Sequence, residues 1–188
     1  MKMLNSKIIM RNCEYVGEKC AELGLNVKLL LVGGAYMLLL MGNRPTTHDV
    51  DVVVILDQPT EAENRQHYRD VKAVIAAVTK ERGLPNAWLN DDVTTITDQV
   101  GTPRNARLWK RFGGLYIYVP EPAYMLALKL FSARPRDDRD IQALAEKLHV
   151  STQAQAWTVL QRHINPRFLA DREHQKKVQK ALKRNFKE

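Results

Sequence analysis

The sequence predicts an α/β fold with a helical C-terminal part, and three observations predict it. Short apolar segments at 27–32 and 49–56, rich in leucine and valine, are typical of buried strands. Longer segments at 4–23 and 60–82 place apolar residues at helical spacing among charges. After residue 120 the pattern is helical throughout. The chain has 188 residues, 45% of them hydrophobic, which is enough for one sizeable core.

The first part of the chain is predicted to alternate helices and strands. The first helical pattern stops at Gly24, and VKLLLV (27–32) is too short and too apolar for an independent helix. We expect AYMLLLMG (35–42) to form a short helix directly after a glycine pair. DVDVVVIL (49–56) is then the second strand, and a polar helix follows it and ends near Gly83.

The stretch from 86 to 105 indicates loops, with TTIT (94–97) as a candidate short strand. NARLWKRF (105–112) and LYIYV (115–119) flank a second glycine pair, which predicts a β-hairpin. Four helical patterns follow, at 120–133, 136–148, 151–163 and 170–186. The strands are therefore expected in the first two thirds of the chain and only helices in the last third.

The composition indicates a cytoplasmic protein that does not contact a membrane. No apolar segment reaches the length of about 18 residues that a membrane span requires, and charges are spread through the start of the chain instead of the apolar stretch of a signal peptide. Cys13 and Cys20 are expected to be buried free thiols of a reducing compartment. We expect an α/β core over residues 1–120 and a helical C-terminal region over 121–188, packed on that core.

The charge is unevenly distributed along the chain, which has a net charge of +8. Residues 45–101 contain ten Asp and Glu against five Lys and Arg, whereas residues 164–188 contain eight basic residues against three acidic ones. A polyanionic partner beside an acidic, cation-filled cleft fits this arrangement. A basic surface that only confers solubility fits it equally well.

Gly33 and Gly34 stand between a predicted buried strand and a predicted helix. Glycine has no Cβ, so a phosphate can approach the backbone there. Tight packing of a strand against a helix uses the same pattern.

Asp49 and Asp51 alternate on the second predicted strand and should share one face. The polar residues of the loop before them include Thr47. Two carboxylates on one face repel each other unless a cation lies between them, so they predict a Mg²⁺ site.

The order Gly33–Gly34, short helix and Asp49-x-Asp51 at a strand opening resembles the nucleotidyltransferase superfamily to which DNA polymerase beta belongs. LALKLFSARPRDDRDIQAL (126–144) is similar to the lysine and Arg-Asp-x-x-Asp on successive helices of AbiEii-type toxins and related minimal nucleotidyltransferase-like proteins. The matching residues of this second motif are Lys129, Arg136, Asp137 and Asp140.

The resemblance covers residues 27–148 and implies a nucleotidyltransferase fold, a small mixed β-sheet flanked by helices. It also implies Mg²⁺ or Mn²⁺ as cofactor and an NTP as co-substrate. The metal ligands would be Asp49 and Asp51, the nucleotide-binding residues Gly33, Gly34, Thr47, Lys129, Arg136 and Asp137, and the catalytic residues Asp49, Asp51, Lys129 and Asp140.

The chain departs from the superfamily pattern at one position. Many members supply a third metal-binding carboxylate from a later strand, and the expected strand at 115–119 contains none. Asp91 and Asp92 lie in WLNDD, which indicates a loop. Either the third ligand comes from the helix of Asp137 and Asp140, or the metal is held weakly, or catalysis has been lost.

The residues of the second motif also have simpler interpretations. Lys129 lies among leucines and would either extend to a triphosphate or bend outward to solvent. Asp137 and Asp140 are three residues apart and would equally serve in a surface ion-pair ladder.

The acceptor of the implied reaction is left open by the sequence. RNA, such as a tRNA end in a toxin–antitoxin setting, suits the basic C-terminal helices. A protein acceptor, with a partner toxin or antitoxin, suits the small size, and an antibiotic-like small molecule is a third choice. The alternative from another class is a catalytically degenerate module that binds nucleic acid.

Overall fold

The computed structural model describes residues 3–94, 101, 103 and 105–188 of the chain. It divides into two compact units: the first comprises Met1–Val93 with Ala106–Val119, and the second comprises Thr94–Asn105 with Pro120–Glu188. None of the helices within the described ranges has the length and apolar character needed to cross a bilayer. A core at 1–120 with a helical region at 121–188 stays a prediction, and residues 95–97 of the candidate strand TTIT lie outside the described residues.

The first unit contains a mixed five-stranded sheet with helices, which confirms the predicted fold class. Its elements are α1 (Ser6–Glu22), β1 (Val27–Leu31), α2 (Gly33–Tyr36) with a π-helical turn (Met37–Met41), β2 (Val50–Val54), α3 (Glu61–Arg82), β3 (Leu89–Asn90), β4 (Arg107–Phe112) and β5 (Leu115–Val119). The strand order is β3-β2-β1-β5-β4. β1 pairs antiparallel with β2 and parallel with β5, β2 pairs parallel with β3, and β4 pairs antiparallel with β5.

The two faces of this sheet differ in burial. On one face, alternate residues of β2 and β5, such as Val52 and Ile117, are buried. Ile9 and Cys13 of α1 line the same small apolar space as Val52 and Ile117, so α1 covers this face. On the other face, the intervening residues of β2 and β5 are only partly buried. One face of the sheet is therefore buried under α1, and the other is only partly buried along β2 and β5.

Two element boundaries differ from the predictions near the first motif. The helix predicted to follow the glycine pair begins at Gly33 itself, with Val32 as N-cap, so both glycines lie in its first turn. β2 begins at Val50, so Asp49 lies one residue before the strand instead of inside it. The predicted helix at 60–82 is confirmed, because Thr60 caps α3 in a capping box with Glu63 and Gly83 ends it in the left-handed conformation.

The second unit is helical, as predicted. Its elements are α4 (Pro122–Ser132), a 3₁₀ turn (Pro135–Asp137), α5 (Asp138–Leu148), α6 (Gln153–His163), α7 (Pro166–Leu169) and α8 (Arg172–Asn185). α4 is the central helix, since α5, α6 and α8 all pack on it. All of its residues from Tyr124 to Phe131 are buried, which explains why its sequence is apolar on every side except at Lys129.

Candidate active site

The carboxylate of Asp51 lies directly against the backbone of Gly33. A Cβ atom at Gly33 would come within 2.0 Å of Asp51 Oδ2, and Gly33 has a φ of +63°, in the left-handed region. Both conditions make any other residue at this position strained. The backbone also joins the two segments, because the Val32 N–H donates to the Asp51 carbonyl oxygen at 3.0 Å. The first glycine of the motif is thus explained by its contact with the aspartate.

The loop before β2 lies over the second glycine. A Cβ at Gly34 would be 2.6 Å from Thr47 Oγ1 and 3.2 Å from an Nη atom of Arg44. Thr47 is held there by a reciprocal pair of backbone hydrogen bonds with Leu4, each 2.8 Å. The sequence analysis identified Thr47 but missed Arg44. Arg44 could have been found, because it is the single Lys or Arg between the π-helical turn and β2. A guanidinium, a hydroxyl and a carboxylate therefore meet at the glycine pair.

The structure places Asp49 and Asp51 at the start of β2, and both are partly exposed. Their neighbours Val50 and Val52 are buried on the opposite face of the strand. Among the described residues, no group of three or more His, Cys, Asp or Glu side chains could hold a metal ion. Two carboxylates offer a divalent cation only part of its coordination shell, and the phosphates of a nucleotide and water would have to supply the rest.

Asn90 lies beside Asp51 in the sheet. β3 pairs in parallel with β2, with Val50 opposite Leu89 and Asp51 opposite Asn90. The prediction that WLNDD is a loop was therefore wrong at Leu89 and Asn90. β5, the strand from which a third carboxylate was expected, is separated from β2 by β1. The residue that does adjoin Asp51 is an amide, whose Nδ2 donates to the Ala87 carbonyl and whose Oδ1 accepts the Asp92 N–H, both at 3.1 Å.

Asp91 is held by the neighbouring helix. Tyr68 Oη donates to Asp91 Oδ2 at 2.5 Å, and Lys72 Nζ donates to Oδ1 at 2.6 Å. Burial by itself raises the pKa of Asp91, but the hydrogen bonds from Lys72 and Tyr68 outweigh it and hold that pKa below its usual value. The hydrogen bond to Asp91 in turn raises the pKa of Tyr68 to about 12. Asp91 therefore joins β3 to α3.

The second motif forms a buried ion cluster in the helical unit. Lys129 Nζ lies 2.7 Å from Asp137 Oδ1 and 3.0 Å from Asp140 Oδ2. Lys129, Asp137 and Asp140 expose only 9%, 7% and 0% of their surface. The structure therefore shows neither a lysine bent outward to solvent nor a surface ion-pair ladder. Arg136, in the 3₁₀ turn, is exposed.

The chain was compared with protein-family models, curated proteins and solved structures. No protein-family model matches the chain, and the curated proteins compared with it give no match. Among solved structures, the chain is similar to an antigenic nucleotidyltransferase-like protein from Paracoccidioides brasiliensis, with a TM-score of 0.48 and 15% identity over 99% of this chain and 97% of that chain.

Proposed function

We propose that the protein is a nucleotidyltransferase that uses Mg²⁺ or Mn²⁺ to move a nucleotidyl group from an NTP to a hydroxyl acceptor. The observation that supports this proposal is the meeting of Asp51, Arg44 and Thr47 at Gly33 and Gly34. A carboxylate for a metal and a cation for phosphate lie there beside a backbone without side chains. This is the combination that recognition of a metal–triphosphate complex requires.

The residues of the first unit fit a divalent cation through oxygen donors. Asp49 and Asp51 would hold it, and the Asn90 side-chain carbonyl lies on the adjacent strand. A bound Mg²⁺ would neutralise phosphate charge and lower the pKa of the attacking hydroxyl. In the reaction, the acceptor oxygen forms a bond to the α-phosphorus, the bond to the bridging oxygen breaks, and pyrophosphate leaves. The hydroxyl proton passes to a carboxylate of the site.

The remaining residues would position the nucleotide. Arg44 and Thr47 would contact phosphate oxygens beside the glycine pair. The resemblance implies nucleotide-binding and catalytic roles for Lys129, Asp137 and Asp140. Because these three residues pair with one another, we propose that they position other groups of the site. Exposed Arg136 is then the cation of that motif proposed to contact phosphate.

The acceptor that we propose is RNA, such as a tRNA end, in a toxin–antitoxin setting with a protein partner. The support comes from the side of α8 opposite buried Val178 and Leu182, which is basic and exposed. Its residues are Arg172, Lys176, Lys180 and Lys183. Protein or small-molecule acceptors remain the alternatives within the same reaction class.

A second candidate function is a degenerate module that binds nucleic acid without catalysis. The observation that favours it is Asn90, an uncharged side chain on the strand that adjoins Asp51. With two carboxylates instead of three, the site would hold a cation more weakly. Nucleotide transfer separates the two functions directly.

The test is transfer of label from each of the four NTPs, labelled at the α-phosphate, to total RNA in the presence of Mg²⁺. We expect labelled RNA from the parent protein and none from Asp51→Asn, which keeps the side-chain shape but removes the charge. Asp70→Asn, on α3, is the matched control and should transfer as the parent does. Melting temperatures with metal and NTP accompany the assay, because a ligand bound to the native state raises them. Absence of both transfer and melting shift in the parent would overturn the proposal.

A further inference from the structure

The partly exposed face of the sheet contains side chains that the proposed reaction does not use. Leu30 of β1 lies opposite Val53 of β2 and Tyr118 of β5, and Lys28 of β1 lies opposite Tyr116. Paired residues on neighbouring strands point to the same face. Asp51 is two residues from Val53 on the same strand and so shares this face with the two tyrosines.

Tyr118 lies in an apolar setting on this face. Its neighbours across the strands are Leu30, which is buried, and Leu108 of β4, which exposes 47% of its surface. Tyr118 itself is partly exposed. A partly exposed aromatic ring beside an exposed leucine gives an apolar surface of the kind on which nucleobases stack.

Arg111 lies over the ring of Tyr116, the second tyrosine of this face. Arg111 lies opposite Tyr116, and its guanidinium carbon is 4.8 Å from the centre of the Tyr116 ring. The Arg111 Nε also donates to the Gly113 carbonyl at 3.2 Å. A guanidinium has five N–H donors, so groups remain for a phosphate. Arg111 is exposed on this face, whereas Arg107 and Lys110 are exposed on the other side of the same edge strand. The strand RLWKRF contains no acidic residue. The charge of this edge is complementary to a polyanion.

The size of the face indicates more than a mononucleotide. Tyr118 lies two strands away from Val53 across the sheet, and Asp51 lies two residues from Val53 along β2. Usual strand spacings therefore place Tyr118 about 12 Å from Asp51. A chain of nucleotides with its end at Asp51 spans this distance. Stacking on a protein ring requires bases that are not already paired in a duplex.

We propose that this face binds the acceptor as a single-stranded nucleic acid, with a base stacked on Tyr118 and a phosphate held by Arg111. This inference rests on the proposed function, because it names the acceptor for the same site. The binding itself needs neither metal nor nucleotide, so it can be measured separately from transfer.

The experiment measures binding of a short fluorescein-labelled oligouridylate by anisotropy, in EDTA and without NTP. Tyr118→Leu should weaken binding about tenfold, the effect of one lost base–ring stack. Tyr118→Phe, which keeps the ring, should bind as the parent does. Arg111→Gln should lower the slope of log affinity against log salt by about one.

The matched control is Tyr15→Leu. Tyr15 also stacks with an arginine, Arg82, at 4.0 Å, but on α1, which covers the opposite face of the sheet. This variant should bind the oligonucleotide unchanged. The rise in melting temperature that Mg²⁺ and an NTP cause is measured for all variants in parallel and should equal the rise in the parent.

Three results would overturn the inference: a parent that does not bind the oligonucleotide, a Tyr118→Leu variant that binds it equally well, and a Tyr118→Leu variant that loses only the metal–NTP melting shift. The last result would assign the ring to the base of the donor nucleotide. Failure of the proposed function has a different signature, since it removes transfer and melting shift while the effect of Tyr118→Leu on oligonucleotide binding persists.

Discussion

Asn90 is the strand neighbour of Asp51, and the two side chains project from the same face of parallel strands β2 and β3. A carboxylate at position 90 could reach a cation bound by Asp51, but the residue there is an amide. The strength of metal binding should therefore depend on this single position.

Asn90→Asp should tighten divalent metal binding, because a third negative ligand adds to the charge of the site. We expect the Mn²⁺ concentration that gives half of the melting shift to fall by about tenfold. The substitution also removes the hydrogen bond from Nδ2 to the Ala87 carbonyl, which should cost about 1 kcal/mol of stability without metal. An unchanged Mn²⁺ midpoint would place the cation away from Asn90. Asn64→Asp, on α3, controls for the added charge.

Lys129→Met should destabilise the protein by about 3–5 kcal/mol, since it leaves two buried carboxylates without their lysine. Urea unfolding measures this change. Replacing Asp137 and Asp140 by Asn in the same chain should recover much of the loss, because the buried charges then disappear together. If Lys129→Met is as stable as the parent but inactive, Lys129 acts on the nucleotide and not on the fold.

Stability should fall on acidification below about pH 6.5 because of two partly buried histidines. Burial lowers the pKa of His163 and of His174 from the ordinary 6.5, although Glu121 opposes this at His163 and Asp171 at His174. Their Nε2 atoms are buried without a hydrogen-bond partner in the described part of the chain. The unfolded chain therefore binds protons that the folded one resists, and stability present above pH 6.5 is lost as pH decreases.

Urea midpoints at pH 7.5 and pH 5.5 measure this dependence. The double variant His163→Gln and His174→Gln should show a smaller difference between the two pH values than the parent. His67→Gln, on α3 of the sheet unit, is the control and should keep the difference of the parent. An equal difference in the double variant would assign the acid sensitivity to other groups.

Charge reversal on α8 should weaken RNA binding. Lys176, Lys180 and Lys183 are exposed on one side of the helix, although Lys176 also pairs with Glu173 at 2.7 Å. Each phosphate contact releases counterions, so tRNA binding by the parent should drop sharply between about 50 and 200 mM salt. The triple change to Glu should weaken binding and flatten the salt dependence, and leave the melting shift with metal and NTP intact.

The matched control reverses three exposed cations of α3, Arg65, Arg69 and Lys80, which changes the net charge equally. Filter binding or anisotropy with tRNA compares the two triple variants. If both weaken binding to the same extent, net charge and not α8 is responsible. The RNA acceptor would then give way to a protein or small molecule.

The sequence by itself determined those features that depend on neighbours along the chain. The amphipathic pattern of α3 with Thr60 and Gly83 at its ends, the apolar run of β1 and the hairpin of β4 and β5 agree with the structure closely. Such features arise from local backbone preferences and side-chain periodicity.

Only the tertiary structure decided which distant residues meet. β3 has two residues, too few for any periodicity, and it exists because its backbone pairs with β2 and places Asn90 beside Asp51. The sequence pattern allowed Lys129 to extend to solvent or to a ligand. In the structure, the turn before α5 places Asp137 and Asp140 beside its Nζ. Strand pairing and the neutralisation of buried charge depend on contacts that chain folding creates, and no local pattern specifies them.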